Sequence, residues 1–239
     1  MTRRATSRPA QTAPHRPANG SASSVRGTPR PAPQACVARL SLYLRELARL
    51  GAQRVSVVPS RRLAQQLGLT DAQVRRDLST FGQFGMSGRG YNVQGLHARL
   101  AAILGVSNRT WNVALAGAGN LGSELLAYRG FQERGFRFRV VVDVDARKIG
   151  RSLQGITIAP ADHLPTLARQ HDVHIGLIAV PVSSAQAVCD QLVAGGVRAI
   201  VNFAPIHLDV PPSVRLRVVD LASELESLAF YLAQASHGP

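Results

Sequence analysis

The sequence predicts an α/β chain in two parts, a helical domain with a β-hairpin wing followed by a doubly wound parallel sheet. Three observations support this fold class. Apolar residues between positions 37 and 81 recur at helical spacing, a glycine-rich turn follows a short apolar run at 113–116, and apolar strands alternate with helical segments beyond it. Helices followed by a glycine hairpin are typical of a winged helix-turn-helix, and strands alternating with helices are typical of a Rossmann sheet.

The net positive charge is confined to the front of the chain, whose 239 residues carry a formal net charge of +14. Residues 1–35 hold six arginines and no acid, residues 36–112 hold eleven arginines against three acids, and residues 113–239 are neutral. This asymmetry predicts a polyanionic partner for the front half, most commonly nucleic acid, with phospholipid as the alternative. No apolar run approaches the ~18 residues that span a bilayer, and no signal peptide is recognisable, so we expect a cytoplasmic protein with no membrane partner.

The cysteines and histidines argue against a metal or redox site, and the composition of the tail argues against a folded N-terminus. Cys36 and Cys189 form no metal or redox spacing, as expected of a reducing cytosol. The spacing of His163, His171 and His174 does not match zinc ligands, so we predict no metal site. Residues 1–35 form a Pro-, Ser-, Ala- and Arg-rich stretch almost without large apolar side chains, which predicts a disordered basic tail.

Two helices are predicted after the tail. The first begins at Cys36 and ends at Gly51, with its apolar residues three and four positions apart: Val37, Leu40, Leu44, Leu47 and Leu50. In the second, Ser60 is placed to cap the helix and Gly68 ends it.

A third helix opens at Thr70, where Gln73 completes a capping-box pattern. An apolar stripe of Val74, Leu78 and Phe81 leaves a polar and basic face on the other side. As the second helix of a helix-turn-helix, this helix would enter the major groove, although a solvated arginine face is the alternative. The candidate DNA contacts on it are Gln73, Arg75, Arg76 and Ser79.

The segment Gly82–Val93 has the composition of a glycine-rich hairpin, a wing, with Arg89 suited to a narrow minor groove. A fourth helix near Val93–Leu104 completes a DNA-binding domain over residues 36–108. A linker at Gly105–Thr110 leads to the next domain, expected over residues 109–219.

The segment WNVALAGAGNLG then joins a strand to a helix through a G-x-G-x-x-G turn. Its first glycine permits the tight turn, its second lets backbone approach a pyrophosphate, and its third lets the helix pack on the strand. Asp143 ends the next strand, 21 residues after Gly122, where an acid would bind a ribose hydroxyl. We therefore predict NAD(H) binding, although a purely structural glycine turn is the alternative. The candidate turn residues are Gly117, Ala118, Gly119, Asn120, Leu121 and Gly122.

Asp143 predicts a preference for NAD(H) over NADP(H), with Asp145 as the alternative ribose ligand and Arg147 and Lys148 as nearby cations. Further strands are expected near 136–142, 175–179, 199–202 and 216–219. Val180 and Pro181, and likewise Asn202 and Phe203, follow strand ends where such sheets hold ligands, so both turns are candidates for the nicotinamide side. Residues 220–239 form a last helix and tail, with Asp220 as the N-cap.

The chain resembles the Rex redox-sensing transcriptional repressors from about Leu40 to Leu232. The motifs that carry the resemblance, in family order, are SLYLREL, QVRRDLSTFGQFG, RGYNV, GAGNLG, DVDARKIG, AVPVSSAQ, VNFAPIHLDVP and VDLASELESLAFYL. One departure concerns the wing, where Met86 and Ser87 stand in place of the usual basic residues and Arg89 comes two positions later.

The resemblance implies a homodimer of winged-helix and Rossmann domains that binds inverted-repeat operator DNA, senses NADH against NAD⁺, and is released when NADH binds. It also implies that the last helix is exchanged between subunits. An aspartate, here Asp220, would pair with Arg45 in one state and with Tyr128 in the other.

The strongest rival function is an NAD-dependent dehydrogenase, because the fold and the glycine turn are shared with that class. Residues 113–239 suffice for one Rossmann domain and leave no substrate domain, and no paired acid and base stand near the nicotinamide end. A CoA-binding module is a further alternative. We expect a repressor with no catalytic residues.

Overall fold

A computed structural model describes residues 33–86 and 88–235. The helices of the N-terminal part are α1 (Gln34–Ala52), α2 (Ser60–Gln66), α3 (Asp71–Ser79) and α4 (Val93–Ile103), and its strands are β1 (Val57–Val58), β2 (Gly85–Met86) and β3 (Gly90–Asn92). Strand β3 pairs antiparallel with both others, in the order β1-β3-β2. The predicted winged helix-turn-helix is confirmed, whereas the predicted tail lies almost wholly outside the described residues.

Helix α1 differs from its prediction at both ends and on one face. It begins two residues before Cys36 and runs through Gly51 to Ala52, ending where Arg54 adopts φ 59° and the amide of Val55 returns to the Leu50 carbonyl at 3.0 Å. Val37, the first residue of the predicted apolar period, is 38% exposed. The buried stripe recurs every four and three residues instead, at Cys36, Leu40, Tyr43, Leu47 and Leu50.

The prediction for the start of each helix in the helix-turn-helix needs one correction. Ser60 is the first residue of α2, and the N-cap position is held by Pro59 without a side-chain bond. At α3, the Thr70 hydroxyl accepts from the Gln73 amide at 3.1 Å, as predicted. The Gln73 side chain does not return to Thr70, because it donates to Asp77 Oδ1 at 2.6 Å. Only half of the capping box is therefore formed.

The second part is a seven-stranded sheet in the order β10-β9-β8-β4-β5-β7-β6. Its strands are β4 (Trp111–Ala116), β5 (Phe136–Asp143), β6 (Ser152–Leu153), β7 (Ile156–Pro160), β8 (Ile175–Ile178), β9 (Ala199–Asn202) and β10 (Arg215–Val218). All pairs are parallel except β6 with β7. The strand order reverses direction between β4 and β8, which confirms the predicted doubly wound Rossmann sheet.

Helices cover both faces of this sheet. They are α5 (Asn120–Ala127), α6 (Arg129–Glu133), α7 (Leu164–Gln170) and α8 (Val182–Ala194). In β4, Val113 and Leu115 belong to one apolar cluster, whereas Ala114 and Ala116 belong to the other. A strand buried on both faces needs apolar residues at every position, which explains the continuous run that the sequence displays.

The sequence did not reveal β6, β7 or α6. Two predicted strands are also displaced, since β8 ends at Ile178 and β10 starts at Arg215. Strand β7 carries Thr157 between two isoleucines and ends at Pro160, so its apolar signal is short and interrupted. It exists because β5 offers an unpaired edge that its backbone completes.

The last helix is α9 (Leu221–Ala235), whose residues 221–234 are all exposed in the described part of the chain. Asp220 Oδ1 accepts from the amide of Ala222 at 3.0 Å, so the predicted N-cap forms. The large apolar side chains of α9 are 59–70% exposed: Leu221, Leu225, Leu228, Phe230, Tyr231 and Leu232. A contiguous apolar surface of this kind marks a protein–protein interface. Within residues 33–86 and 88–235, no helix combines the length and apolarity needed to cross a bilayer.

Candidate cofactor cavity and DNA-binding face

The three glycines of the turn after β4 meet different surroundings. Gly117 has φ 99°, and a Cβ there would overlap the carbonyl oxygen of Ala179. A Cβ on Gly122 would overlap the carbonyl oxygen of Gly117. By contrast, a Cβ on Gly119 would meet no atom within 4 Å. The first and third glycines are required by packing, and the second leaves open space at the start of α5, where free N–H groups attract phosphate.

A cavity of about 380 Å³ opens at the carboxyl ends of β4, β5 and β8, where the strand order reverses. Five of the predicted cofactor residues line it: Gly117, Gly119, Asp143, Val180 and Pro181. The remaining turn residues, Ala118, Asn120, Leu121 and Gly122, are not among its walls. Parallel sheets bind ligands at this reversal point, so the cavity is where a dinucleotide would lie.

Asp143 is a buried carboxylate that organises the turn. Its Oδ2 accepts from the Ala118 amide at 2.8 Å and from Lys148 Nζ at 3.1 Å, and its Oδ1 accepts from the Asp145 amide at 2.8 Å. Burial raises the pKa of Asp143, but the hydrogen bonds from these donors outweigh burial and the net pKa is lowered. Asp143 is therefore ionised at neutral pH.

The cations beside this carboxylate are paired. Arg147 donates to Asp145 from Nε at 3.0 Å and from Nη2 at 2.8 Å, and hydrogen bonds from Arg147 lower the pKa of Asp145 to about 2. Lys148 binds Asp143. Both cations that could attract a 2′-phosphate are thus already bonded to carboxylates.

Only one of the two turns predicted for the nicotinamide side lines the cavity. Val180 and Pro181 face the glycine turn across it. Asn202 is fully buried, and its amide nitrogen donates to the carbonyls of Ala204 and Ile206 at 2.9 Å each. Because the Asn202 side chain is used within its own loop, the expectation that this turn contributes to the pocket is not supported.

The cavity also has wall residues that were not predicted. Val144 is 83% exposed and lies next to Asp143, and Ser184 stands in the first turn of α8. An apolar residue directly after the strand-ending acid was the available signal for Val144.

A second concave surface, of about 610 Å³, lies between α3 and the wing. Arg75, Ser79 and Arg89 line it, whereas Arg76 is exposed on α3 outside it. Arg75 also forms an ion pair with Asp71 one turn earlier. The groove therefore combines α3 and wing residues in one basic surface. Ser87, at the wing departure, lies outside the described residues.

A buried polar cluster behind α3 was missed by the sequence interpretation. Asp77 is 2% exposed, and its carboxylate accepts four hydrogen bonds, from Arg39 Nε and Nη2 at 2.5 and 2.8 Å, the Tyr43 hydroxyl at 2.7 Å, and Gln73 Nε2 at 2.6 Å. Burial raises the pKa of Asp77, but these hydrogen bonds lower it to about 2. The signal was an acid on the inward side of a short basic helix, which requires a buried cationic partner.

The three residues assigned to a switch have different surroundings in the described part of the chain. Arg45 is exposed on α1, Tyr128 is 53% exposed between α5 and α6 and packs edge-on against Phe131, and Asp220 caps α9. No hydrogen bond or ion pair among the described residues joins any two of them. The described residues also contain no group of three potential metal ligands.

Comparison with known proteins identifies the chain. A repressor from Desulfitobacterium hafniense, "Redox-sensing transcriptional repressor Rex", is 46% identical over 83% of this chain and 94% of its own length. A Streptomyces coelicolor protein of the same name is 43% identical over 91% of this chain and 81% of its own. The chain belongs to the Rex family. It is a redox-sensing transcriptional repressor and not an enzyme, so the dehydrogenase alternative is set aside.

Solved Rex structures and family models agree with this assignment. "Crystal structure of RSP in complex with beta-NAD+ and operator DNA" superposes with a TM-score of 0.81 at 34% identity, covering 85% of this chain and 94% of that one. The beta-NADH complex of RSP gives 0.79 at 32% identity, covering 87% and 97%. A model described as "CoA binding domain" matches residues 108–206, and "Putative DNA-binding protein N-terminus" matches 32–79. The Rossmann match is shared with CoA-binding proteins, but the full-length relatives are repressors.

Proposed function

We propose that this Rex repressor binds an inverted-repeat operator as a homodimer through α3 and the wing, and that NADH in the cavity after β4 releases it. The observation that carries the proposal is the presence of both surfaces in one chain, a basic groove between α3 and the wing and a cavity at the reversal point of the sheet. The complexes of RSP, one with beta-NAD+ and operator DNA and one with beta-NADH, support the same ligands here.

The dimer is supported by α9. Its exposed apolar side chains would be covered if the helix lay against a second copy of the chain. A two-fold dimer presents two copies of α3, which accounts for an inverted-repeat operator with half-sites about one or more helical turns apart.

The cavity favours NAD(H) over NADP(H). An ionised Asp143 accepts hydrogen bonds from ribose hydroxyls and repels a 2′-phosphate, while Arg147 and Lys148 are held by acids. Calorimetric titration of the protein with each cofactor is expected to give the tighter dissociation constant for NADH. Equal or tighter binding of NADPH would overturn the role given to Asp143.

The release of DNA requires that NADH bind one dimer arrangement more tightly than the other, because equal affinities shift nothing. Asp220 lies at the start of the helix that would be exchanged between subunits. Arg45 and Tyr128 are both exposed, so each is able to bind the Asp220 carboxylate of a partner chain. We place the exchange of Asp220 between these two partners at the centre of the switch.

Replacing Asp220 tests the switch. Asp220→Ala is expected to keep NADH binding within a few-fold and to leave operator affinity the same with and without saturating NADH. Asp220→Asn is the matched control for the helix cap, because asparagine caps as well as aspartate but carries no charge. If either variant releases operator DNA on addition of NADH as the parent does, the charge of Asp220 does not couple NADH binding to DNA release.

A further inference from the structure

Helix α1 has polar contacts with both parts of the molecule. In its first turn, the Gln34 side-chain amide lies against the guanidinium of Arg217 in β10. With its oxygen facing that group, Nη1 is the nearest nitrogen, and Nε and Nη2 lie at 3.0 and 2.7 Å. Further along the same helix, Arg39 and Tyr43 donate to Asp77 of α3. Gln34 and Tyr43 are nine residues apart, about 14 Å along a helix.

The contact at Asp77 fixes the orientation of α3 more than it stabilises the domain. Asp77 and Tyr43 are buried and the Arg39 side chain is 25% exposed, and a largely buried ion pair of this kind contributes little net free energy compared with well-packed apolar residues. Its geometry is nevertheless specific, because the Arg39 guanidinium binds both carboxylate oxygens and leaves one alignment of the two helices. A displacement of α1 would therefore carry α3 with it.

The contact at Arg217 would pass a movement of the sheet to α1. Strand β10 is the edge strand of the sheet, pairs with β9, and leads within two residues into Asp220 and α9. Both Gln34 and Arg217 are exposed, so this contact is easily remade. A contact that can be remade suits a joint between domains, whereas the buried bond at Asp77 suits a fixed connection.

We propose that α1 is the rigid connection that carries the cofactor-dependent movement of the sheet to the recognition helix, with Asp77 as the positioning residue that couples α3 to it. The proposal rests on the function proposed above. It adds a route within a single chain, from β10 through α1 to α3, to the exchange of Asp220 between chains.

The test measures a coupling ratio, the dissociation constant for operator DNA with saturating NADH divided by that with saturating NAD⁺. The parent dimer is expected to give a ratio of about 5 to 150, the usual range of allosteric coupling. Asp77→Asn is expected to lower this ratio about 2- to 30-fold while NADH affinity stays within a few-fold. A parent ratio of one would refute the proposed function instead of the route.

Two further variants separate positioning from stability. The triple replacement Arg39→Met, Tyr43→Phe and Asp77→Leu removes the ion pair but fills its space with apolar groups, and should keep or raise the thermal midpoint while the coupling ratio falls. Tyr43→Phe removes a single hydrogen bond and provides a milder version should Asp77→Asn not fold. Loss of operator affinity by equal factors with both cofactors, leaving the ratio intact, would show that the cluster is only structural.

The matched control is Arg49→Met. Arg49 is also paired with a buried acid on α1, Glu46, and its Nη2 approaches the Gln66 side-chain oxygen of α2 at 3.5 Å, but neither contact reaches α3. Its coupling ratio should equal that of the parent. A fall as large as that of Asp77→Asn would overturn the assignment, because any damage to α1 would then have the same effect.

The two ends of the route are compared in a double variant. Arg217→Ala is expected to lower the ratio, and Arg217→Ala combined with Asp77→Asn should lower it no further than the larger single effect, because both act through one helix. If the double variant lowers the coupling ratio by the product of the two single effects, the route through β10 is excluded. An unchanged coupling ratio in Arg217→Ala would exclude it as well.

Discussion

Gly119→Ala is expected to weaken NADH binding about tenfold or more, about 1.4 kcal/mol, while leaving the thermal midpoint unchanged. A Cβ at this position would meet no protein atom within 4 Å, so the folded chain accommodates alanine. The methyl group would instead occupy the space where a pyrophosphate approaches the backbone. Calorimetry of NADH binding together with thermal unfolding of the same variant measures both effects.

Gly122→Ala is the paired variant, and its main expected effect is a loss of stability instead of a loss of NADH affinity. Its Cβ would overlap the carbonyl oxygen of Gly117, so α5 would have to move away from β4, at a cost of about 2 to 4 kcal/mol in the free energy of unfolding. The comparison is informative because the two glycines are three residues apart in the same turn. A Gly119→Ala protein that binds NADH like the parent would mean that the cofactor does not approach this backbone.

Arg75→Ala and Arg76→Ala are each expected to weaken operator binding by about 1 to 3 kcal/mol if their guanidinium groups contact bases. Both are exposed on α3, but their surroundings differ, since Arg75 is paired with Asp71 and lines the groove beside the wing. At least one of the two variants should lose preference for the operator over unrelated DNA. An arginine that contacts phosphate alone would weaken binding to all sequences alike.

Fluorescence anisotropy with operator and scrambled duplexes, repeated across salt concentrations, separates these two roles. Removal of a phosphate contact lowers the salt slope by about one. Arg134→Ala is a charge-matched control, because Arg134 is exposed just after α6 in the nucleotide-binding part. Operator affinity equal to that of the parent in both α3 variants would remove this helix from the DNA interface.

The elements that the sequence predicted well are those whose signal is local. The glycine turn, the Thr70 cap of α3 and the Asp220 cap of α9 each depend on residues within a few positions, and each forms in the structure. Boundaries that depend on distant contacts were predicted less well. Strand β7 is stabilised by pairing with β5, and Val37 is excluded from the core by the packing of its own helix against others.

The candidate sites divide in the same way. Asp143 was identified because its distance from the glycine turn is set by one β-α-β unit, whereas its bonds to Ala118 and Lys148 were not foreseen. Asn202 was proposed for the cofactor pocket from its position after a strand, but its amide is used within its own loop. Position along a strand indicates which end of the sheet a residue occupies, but the direction of its side chain depends on what surrounds it.

The sequence by itself determined the two-part organisation, the cationic front half, the phosphate-binding turn and the membership in a repressor family, because each is encoded by residue types at short, regular spacing. Only the tertiary structure decided that Arg39 and Tyr43 meet Asp77, that Arg217 reaches Gln34, and that α9 exposes its apolar side chains. The two sets of contacts join residues 34 to 183 positions apart, and the exposure of α9 depends on how the rest of the described chain packs. Such relations have no local signature, since they arise only when separately formed elements pack together.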